Sequence, residues 1–281
     1  MAVIGATGIG ATGGREGSRP MDSEPASHRV FLGVSALLFA AAAAATVVWC
    51  GAMSAMDGMP MPGGWTMSMT WMPSGRWLAA AASFLAMWVA MMAAMMLPSL
   101  VPMLVRYRRA VGGAGEGRLG RLTLLAGLGY FLVWTVLGMA AFPLGVWLAG
   151  LEMQQPALSR AVPIAVGAIV LAAGALQFTA WKAHHLACCR EMPRRGRALP
   201  GDAATAWRHG LRLGLHCAIC CAGPMAVLFA LGVMDLAAMA AVTAAITLER
   251  LAPARWRAAQ AIGVIAVAAG LLLIARAIGL E

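Results

Sequence analysis

Cys217, Cys220 and Cys221 open a long apolar run, and their spacing is that of one helix face. Residues at i, i+3 and i+4 stack over one another on a helix, which brings three sulfurs within reach of a single soft ion. Ionisable groups at membrane depth are costly, so thiols there need a partner or a purpose. Two chemistries follow: thiolate coordination of a metal, or redox exchange of Cys217 with Cys220 or Cys221. Cys188 and Cys189 lie one loop upstream, with His184 and His185 at their i−4 positions, and read as the complementary half of such a site. Adjacent cysteines cannot both face one point on a regular helix, so only one of Cys188 and Cys189 is expected to be a ligand. His216 points about 100° away from Cys217 on a helix, and reads as a residue that orients ligands. Cys50 reads as structural or lipid-facing. Five of the six cysteines fall between 188 and 221, which is not the dispersed spacing of a disulfide framework.

Methionine supplies a second set of soft donors, 21 in all. Met53, Met56, Met59, Met61, Met67, Met69 and Met72 are spaced by Gly, Pro, Ser and Thr. A loop of that composition is not expected to build a core, so its thioethers read either as copper(I) donors or as part of a flexible, lipid-surface loop. Met87, Met91 and Met95 repeat at i, i+4 and i+8 in the next apolar run, flanked by Met92, Met96 and Met103. A stripe at helical spacing is more often packing than a track for an ion. Its position between the Met-rich loop and the thiols argues the other way. Pro98 and Pro102 remove backbone hydrogen bonds near its end, a feature common where a membrane helix bends around a site.

The elements that must position these donors are membrane helices. Of 281 residues, 61% are hydrophobic and 11% charged, against about 25% charged in soluble domains. Seven segments are long enough to cross about 30 Å of hydrocarbon, near 30–50, 77–105, 122–150, 158–181, 212–233, 235–251 and 257–279, with six as the count if the fifth and sixth join around Gly232 to Asp235. The expected fold is therefore an all-α, polytopic bundle of about seven helices.

The basic residues fall in alternate loops, at Arg106 to Arg121, Lys182 to Arg212 and Arg250 to Arg257. The positive-inside rule then puts the N-terminus in the cytoplasm, the C-terminus outside and the Cys/His cluster at the cytoplasmic ends of two helices. This accounts for the net charge of +10 without nucleic acid. Glu249 with Arg250 reads as an interfacial pair. Residues 1–28 read as a disordered cytoplasmic tail, with Met21 a second candidate start, and 29–281 as the membrane domain. That domain carries an external loop at 51–76 and cytoplasmic loops at 106–121 and 182–211. The first apolar run exceeds the usual 7–15 residues of a signal peptide and reads as an anchor. No phosphate loop and no nucleophile with a base stand out, so neither an ATP-driven pump nor a hydrolytic or transfer enzyme is predicted.

The runs WVAMMAAMMLPSLVPML, WKAHHLACCR and GLHCAICCAGPMAVLFALGVMDLAAM followed by TLERL resemble the DUF2182 family of metal-binding integral membrane proteins, over residues 77 to 279 or so. The resemblance implies a polytopic protein of the bacterial inner membrane with a metal site and no established reaction. It carries over Met95, Met96, Pro98 and Ser99 as a Met-Pro motif, Lys182 as the lysine before the first Cys pair, and Cys217, Cys220 and Cys221 as the second cluster. His185 stands where an earlier cysteine is expected; imidazole can replace thiolate at a copper or zinc site but not in a dithiol. Three functions remain open: copper(I) handling or transport with a periplasmic or membrane partner protein, a membrane thiol redox protein, or an assembly factor holding a structural metal. Copper(I) is the metal the donor set favours, with zinc and iron as alternatives.

Overall fold

The computed structural model describes residues 23–54, 58–72, 76–112, 115–191, 199–253 and 257–279. Among the described residues the protein is all-α apart from one two-stranded hairpin. Its elements are α1 (Ser23–Ser54), β1 (Met59–Met61), β2 (Trp65–Met67), a 3-10 turn (Met69–Trp71), α2 (Trp77–Val111), α3 (Glu116–Gln154), α4 (Pro156–Leu176), α5 (Ala180–Glu191), α6 (Ala203–Cys220), α7 (Ala222–Leu231), α8 (Leu236–Leu251) and α9 (Ala258–Ala277).

Among the described residues five helices are long and apolar enough to cross a membrane: α1, α2, α3, α4 and α9. The α6–α7 pair passes the same criterion only as one broken span, bent by 61°. The expected count of seven is therefore corrected to five or six. The segment near 212–233 is broken at Cys221 rather than straight, and α8, with 16 residues, is shorter than the roughly 20 a span needs. Residues 23–28 of the expected tail belong to α1, and within the expected loops at 106–121 and 182–211 the residues 106–111, 116–121, 182–191 and 203–211 are helical. Residues 1–22 lie outside the described residues.

α2 is the central helix. In its most apolar stretch 56% of residues are buried, against 6% in α1 and 11% in α9, whose faces present Leu37, Val48, Val264 and Ile265 outward. Such outward apolar faces suit lipid rather than water. α6 packs against α3 so closely that a Cβ on Gly210 would collide with the Ala126 carbonyl, and this contact brings Cys217 under Tyr130. Asp202 caps the start of α6, accepting from the Thr205 amide at 2.8 Å; that hydrogen bond holds its carboxyl below the usual range.

The Met-rich segment is folded, contrary to expectation. Met59 pairs with Met67 and Met61 with Trp65, around a turn in which Gly63 and Gly64 take positive φ of 108° and 77°. Trp65 Nε1 donates to the Ser159 carbonyl at 3.0 Å and Ser159 Oγ donates to the Pro62 carbonyl at 2.9 Å. Met61 and Met67 bury themselves with Ala149 of α3 in a small core of their own. The correction has a simple cause: Trp65 and Trp71 supply the apolar bulk that Gly and Pro lack. Met59 remains exposed and Met53 half-buried, while Met56 lies outside the described residues.

A buried centre of thiols and thioethers

Pro224 determines the local geometry. As the third residue of α7 it has no N–H to offer the carbonyl four residues back, which is that of Cys220. The freed Cys220 carbonyl instead accepts from Lys182 Nζ of α5, at 2.5 Å. The chain bends at Cys221, which has φ −97° and ψ 2°, so that Cys217 and Cys220 lie in the last turn of α6 and Cys221 at the break itself.

Four cysteines converge there. Cys217 Sγ lies 3.8 Å from Cys221 Sγ, Cys220 Sγ lies 3.7 Å from Cys221 Sγ, and Cys189 Sγ of α5 lies 3.2 Å from Cys220 Sγ. Met96 of α2 adds a thioether 3.9 Å from Cys217 Sγ. All four cysteines are free thiols and at most 1% exposed. The His216 carbonyl, also 3.2 Å from Cys189 Sγ, is a second acceptor within reach of the same single thiol proton. Donation to Cys220, reinforced by burial, raises the Cys189 thiol above its ordinary range.

A polar belt encloses the sulfurs. Tyr130 Oη lies 3.0 Å from Cys217 Sγ. Arg250 donates to Cys217 Sγ at 3.1 Å, to Ser99 Oγ at 2.9 Å and to Met103 Sδ at 2.8 Å. Lys182 pairs with Glu249 at 2.7 Å, and Gln177 Nε2 donates to the other Glu249 oxygen at 2.5 Å. Glu249 and Arg250 are 2% and 3% exposed, so the expected interfacial pair is corrected: they turn to different partners inside the bundle. Consecutive residues on a helix point about 100° apart, which sends Arg250 to α2 and α6 and Glu249 to α4 and α5.

The expected site residues divide into two groups. Cys189, Cys217, Cys220 and Cys221 come together. Cys188 faces the other way, half-buried, with His184 Nε2 3.8 Å from its sulfur. His185 packs edge-on against Trp181 at 4.7 Å. Among the described residues no hydrogen bond joins His184 or His185 to the four thiols. Met87, Met91 and Met95 are buried in the core, while the face of α2 that meets the cluster carries Met96, Ser99 and Met103. Cys50 is buried against Met234 at 3.9 Å.

The cluster is not at the start of a helix, because α6 begins nine residues earlier than the expected 212. Met96 sits ten residues inward of Arg106 on α2, about 15 Å along the axis. Tyr130 and Arg250 were not expected as neighbours of the thiols, nor Ser99 and Gln177 as members of the belt around them. The signals were present: a lone tyrosine in an apolar run, and adjacent opposite charges near the end of an apolar helix.

Among the described residues no three or more His, Cys, Asp or Glu are arranged so that they could hold a metal ion as they stand. The donor chemistry nonetheless fits a soft ion. Two sulfurs each about 2.3 Å from one tetrahedral ion stand about 3.8 Å apart, close to three separations in the cluster: Cys217 to Cys221 at 3.8 Å, Cys220 to Cys221 at 3.7 Å and Cys217 to Met96 at 3.9 Å. Cys189 is the exception, held closer by its hydrogen bond to Cys220.

The fold and site define a helical protein whose long apolar helices enclose soft sulfur donors, the donor type that soft metals select. The family model described as PpoB2, a copper chaperone, matches residues 85–273, which is 189 of the 281 residues, and the chain belongs to that family. The match spans all four clustered cysteines. No curated protein and no solved structure matches the chain.

Proposed function

We propose that the protein receives and passes on copper(I) inside the membrane, held by Cys217, Cys220, Cys221 and Cys189 with the Met96 thioether. The chain of sulfur contacts from Cys189 of α5 through the thiols of α6 to Met96 of α2, which Cys217 meets, carries this reading, since thiolate and thioether ligands select copper(I). Arg250 offsets the negative charge that thiolates bring to a buried site. Met87, Met91 and Met95 lie on the way from the Met-rich hairpin to the thiols, and are proposed to extend the thioether path. With the basic segments in the cytoplasm of a bacterial inner membrane, the hairpin faces outside, where a periplasmic or membrane partner protein would exchange the metal.

The test is copper(I) content after challenge with a competing chelator. Cys220→Ser is expected to lose most bound copper, whereas Cys50→Ser, next to Met234, retains it. Equal content in both variants would show that the cluster is packing. One observation favours a second reading, a dithiol: the 3.2 Å approach of Cys189 to Cys220. A reversible disulfide between those two in the purified protein, with no copper bound, would establish it.

A further inference from the structure

Where α5, α8 and the start of α9 meet, a cavity of about 790 Å³ lies beside the thiol cluster. Its lining includes Lys182, Arg190, Arg250 and Arg257 with the amides of Gln177 and Gln260, and no Asp or Glu among the described residues. One carboxylate, that of Glu249, pairs with these cations, through Lys182. Arg190 donates to a backbone carbonyl and Arg250 to neutral acceptors, so positive charge is in surplus. Surplus charge between low-dielectric walls concentrates anions.

Two lining side chains are more than nine-tenths buried yet incompletely satisfied. Among the described residues Gln177 Oε1 and Arg250 Nε have no hydrogen-bond partner, although Gln177 is anchored through its amide nitrogen and Arg250 through its terminal nitrogens. Buried polar atoms of this kind are costly unless something meets them. An anion's oxygen would accept from Arg250 Nε, and a hydroxyl or protonated acid would donate to Gln177 Oε1. The volume lies within the roughly 300–1,000 Å³ of small-molecule sites, and guanidinium forks suit carboxylate and phosphate oxygens.

We propose that this cavity binds a small polyanion, carboxylate or phosphate in kind, on the wall it shares with the thiol cluster. This deepens the copper reading by naming the chemistry of what docks beside the metal, and it rests on that reading only for its purpose. The anion's source is either a soluble molecule or the headgroup of an anionic lipid.

The experiment uses the full chain, free of copper, in nanodiscs of phosphatidylcholine. Citrate or inorganic phosphate is expected to bind saturably and raise Tm, and Arg257→Glu is expected to weaken that binding at least tenfold. A parallel arm replaces part of the lipid with phosphatidylglycerol. Stabilisation by that lipid alone, lost in Arg257→Glu, assigns the same site to a headgroup. Gln260→Glu serves as the second variant if Arg257→Glu does not fold. The proposal is overturned if no anion binds saturably in either arm, or if the variants bind as the unaltered chain does. Copper(I) content is measured separately and should be unchanged in Arg257→Glu. Anion binding by a chain that takes no copper would sink the copper reading and leave the cavity standing.

Discussion

Arg250 stands among sulfurs although a guanidinium near a helix end would ordinarily reach for water. It can do so because every contact it makes is an acceptor: a thiol, a hydroxyl and a thioether. The neighbouring Glu249 is neutralised by Lys182, which leaves Arg250 as the charge that touches the sulfurs. Removing one member of a buried pair leaves the other uncompensated and costs about 3–5 kcal/mol, so the Lys182–Glu249 contact serves fold and site together. Tyr130 is the cleaner probe, because Phe fills its space and removes only the oxygen next to Cys217. Outer hydrogen bonds to metal ligands typically matter by roughly 10–100-fold in affinity, so Tyr130→Phe is expected to weaken copper(I) binding by that much with the fold intact. Cys188→Ser, on the opposite face of α5, should leave affinity unchanged. Competition titration against a copper(I) chelator decides both, and an unaltered Tyr130→Phe would remove the tyrosine from the site.

At the scale of elements, two helices decide the geometry. The α6–α7 break exists because Pro224 withholds a donor from Cys220, and the carbonyl so released is the anchor for α5 through Lys182. α2 carries methionines on two faces, and they are not equivalent. Met96 meets Cys217, while Met91 and Met95 are buried elsewhere in the core. Leu matches Met in size and such swaps usually cost less than about 1.5 kcal/mol, so each substitution should fold and remove only sulfur. Met96→Leu is expected to lower equilibrium copper(I) affinity. Met91→Leu with Met95→Leu should keep that affinity and slow copper(I) uptake into sealed vesicles. Normal uptake in the folded double variant would make that stripe packing and end the path reading.

Across the whole molecule, the basic segments gather at one end. Arg108 reaches Ser27 at the start of α1, Arg118 reaches the Gly201 carbonyl before α6, and Arg106 donates to the Arg190 carbonyl after α5's cysteines. The hairpin packs at the other end, on the α3–α4 turn. A bundle with its positive charge at one pole has one favoured orientation in a membrane. Reporters fused after residue 115 or 200 should therefore read as cytoplasmic and one within 53–72 as external. A cytoplasmic signal from the 53–72 fusion would overturn both the orientation and the proposed capture of copper from outside.

The class of fold was legible in the sequence by itself, because apolar runs of membrane length admit little other than helices when backbone groups must be satisfied internally. So was the face shared by Cys217, Cys220 and Cys221, since i, i+3, i+4 spacing is a property of one helix. The helix count was less legible: hydropathy sums over a window and does not register that a proline frees a carbonyl within it. Tertiary structure alone decided which of Cys188 and Cys189 joins the cluster, that Met96 rather than Met91 or Met95 meets it, and that Glu249 and Arg250 face inward to separate partners. Those outcomes depend on the rotation of α2, α5 and α8 about their axes. That rotation is set by contacts between residues dozens to more than a hundred positions apart, such as Arg250 with Ser99 and Cys189 with Cys220.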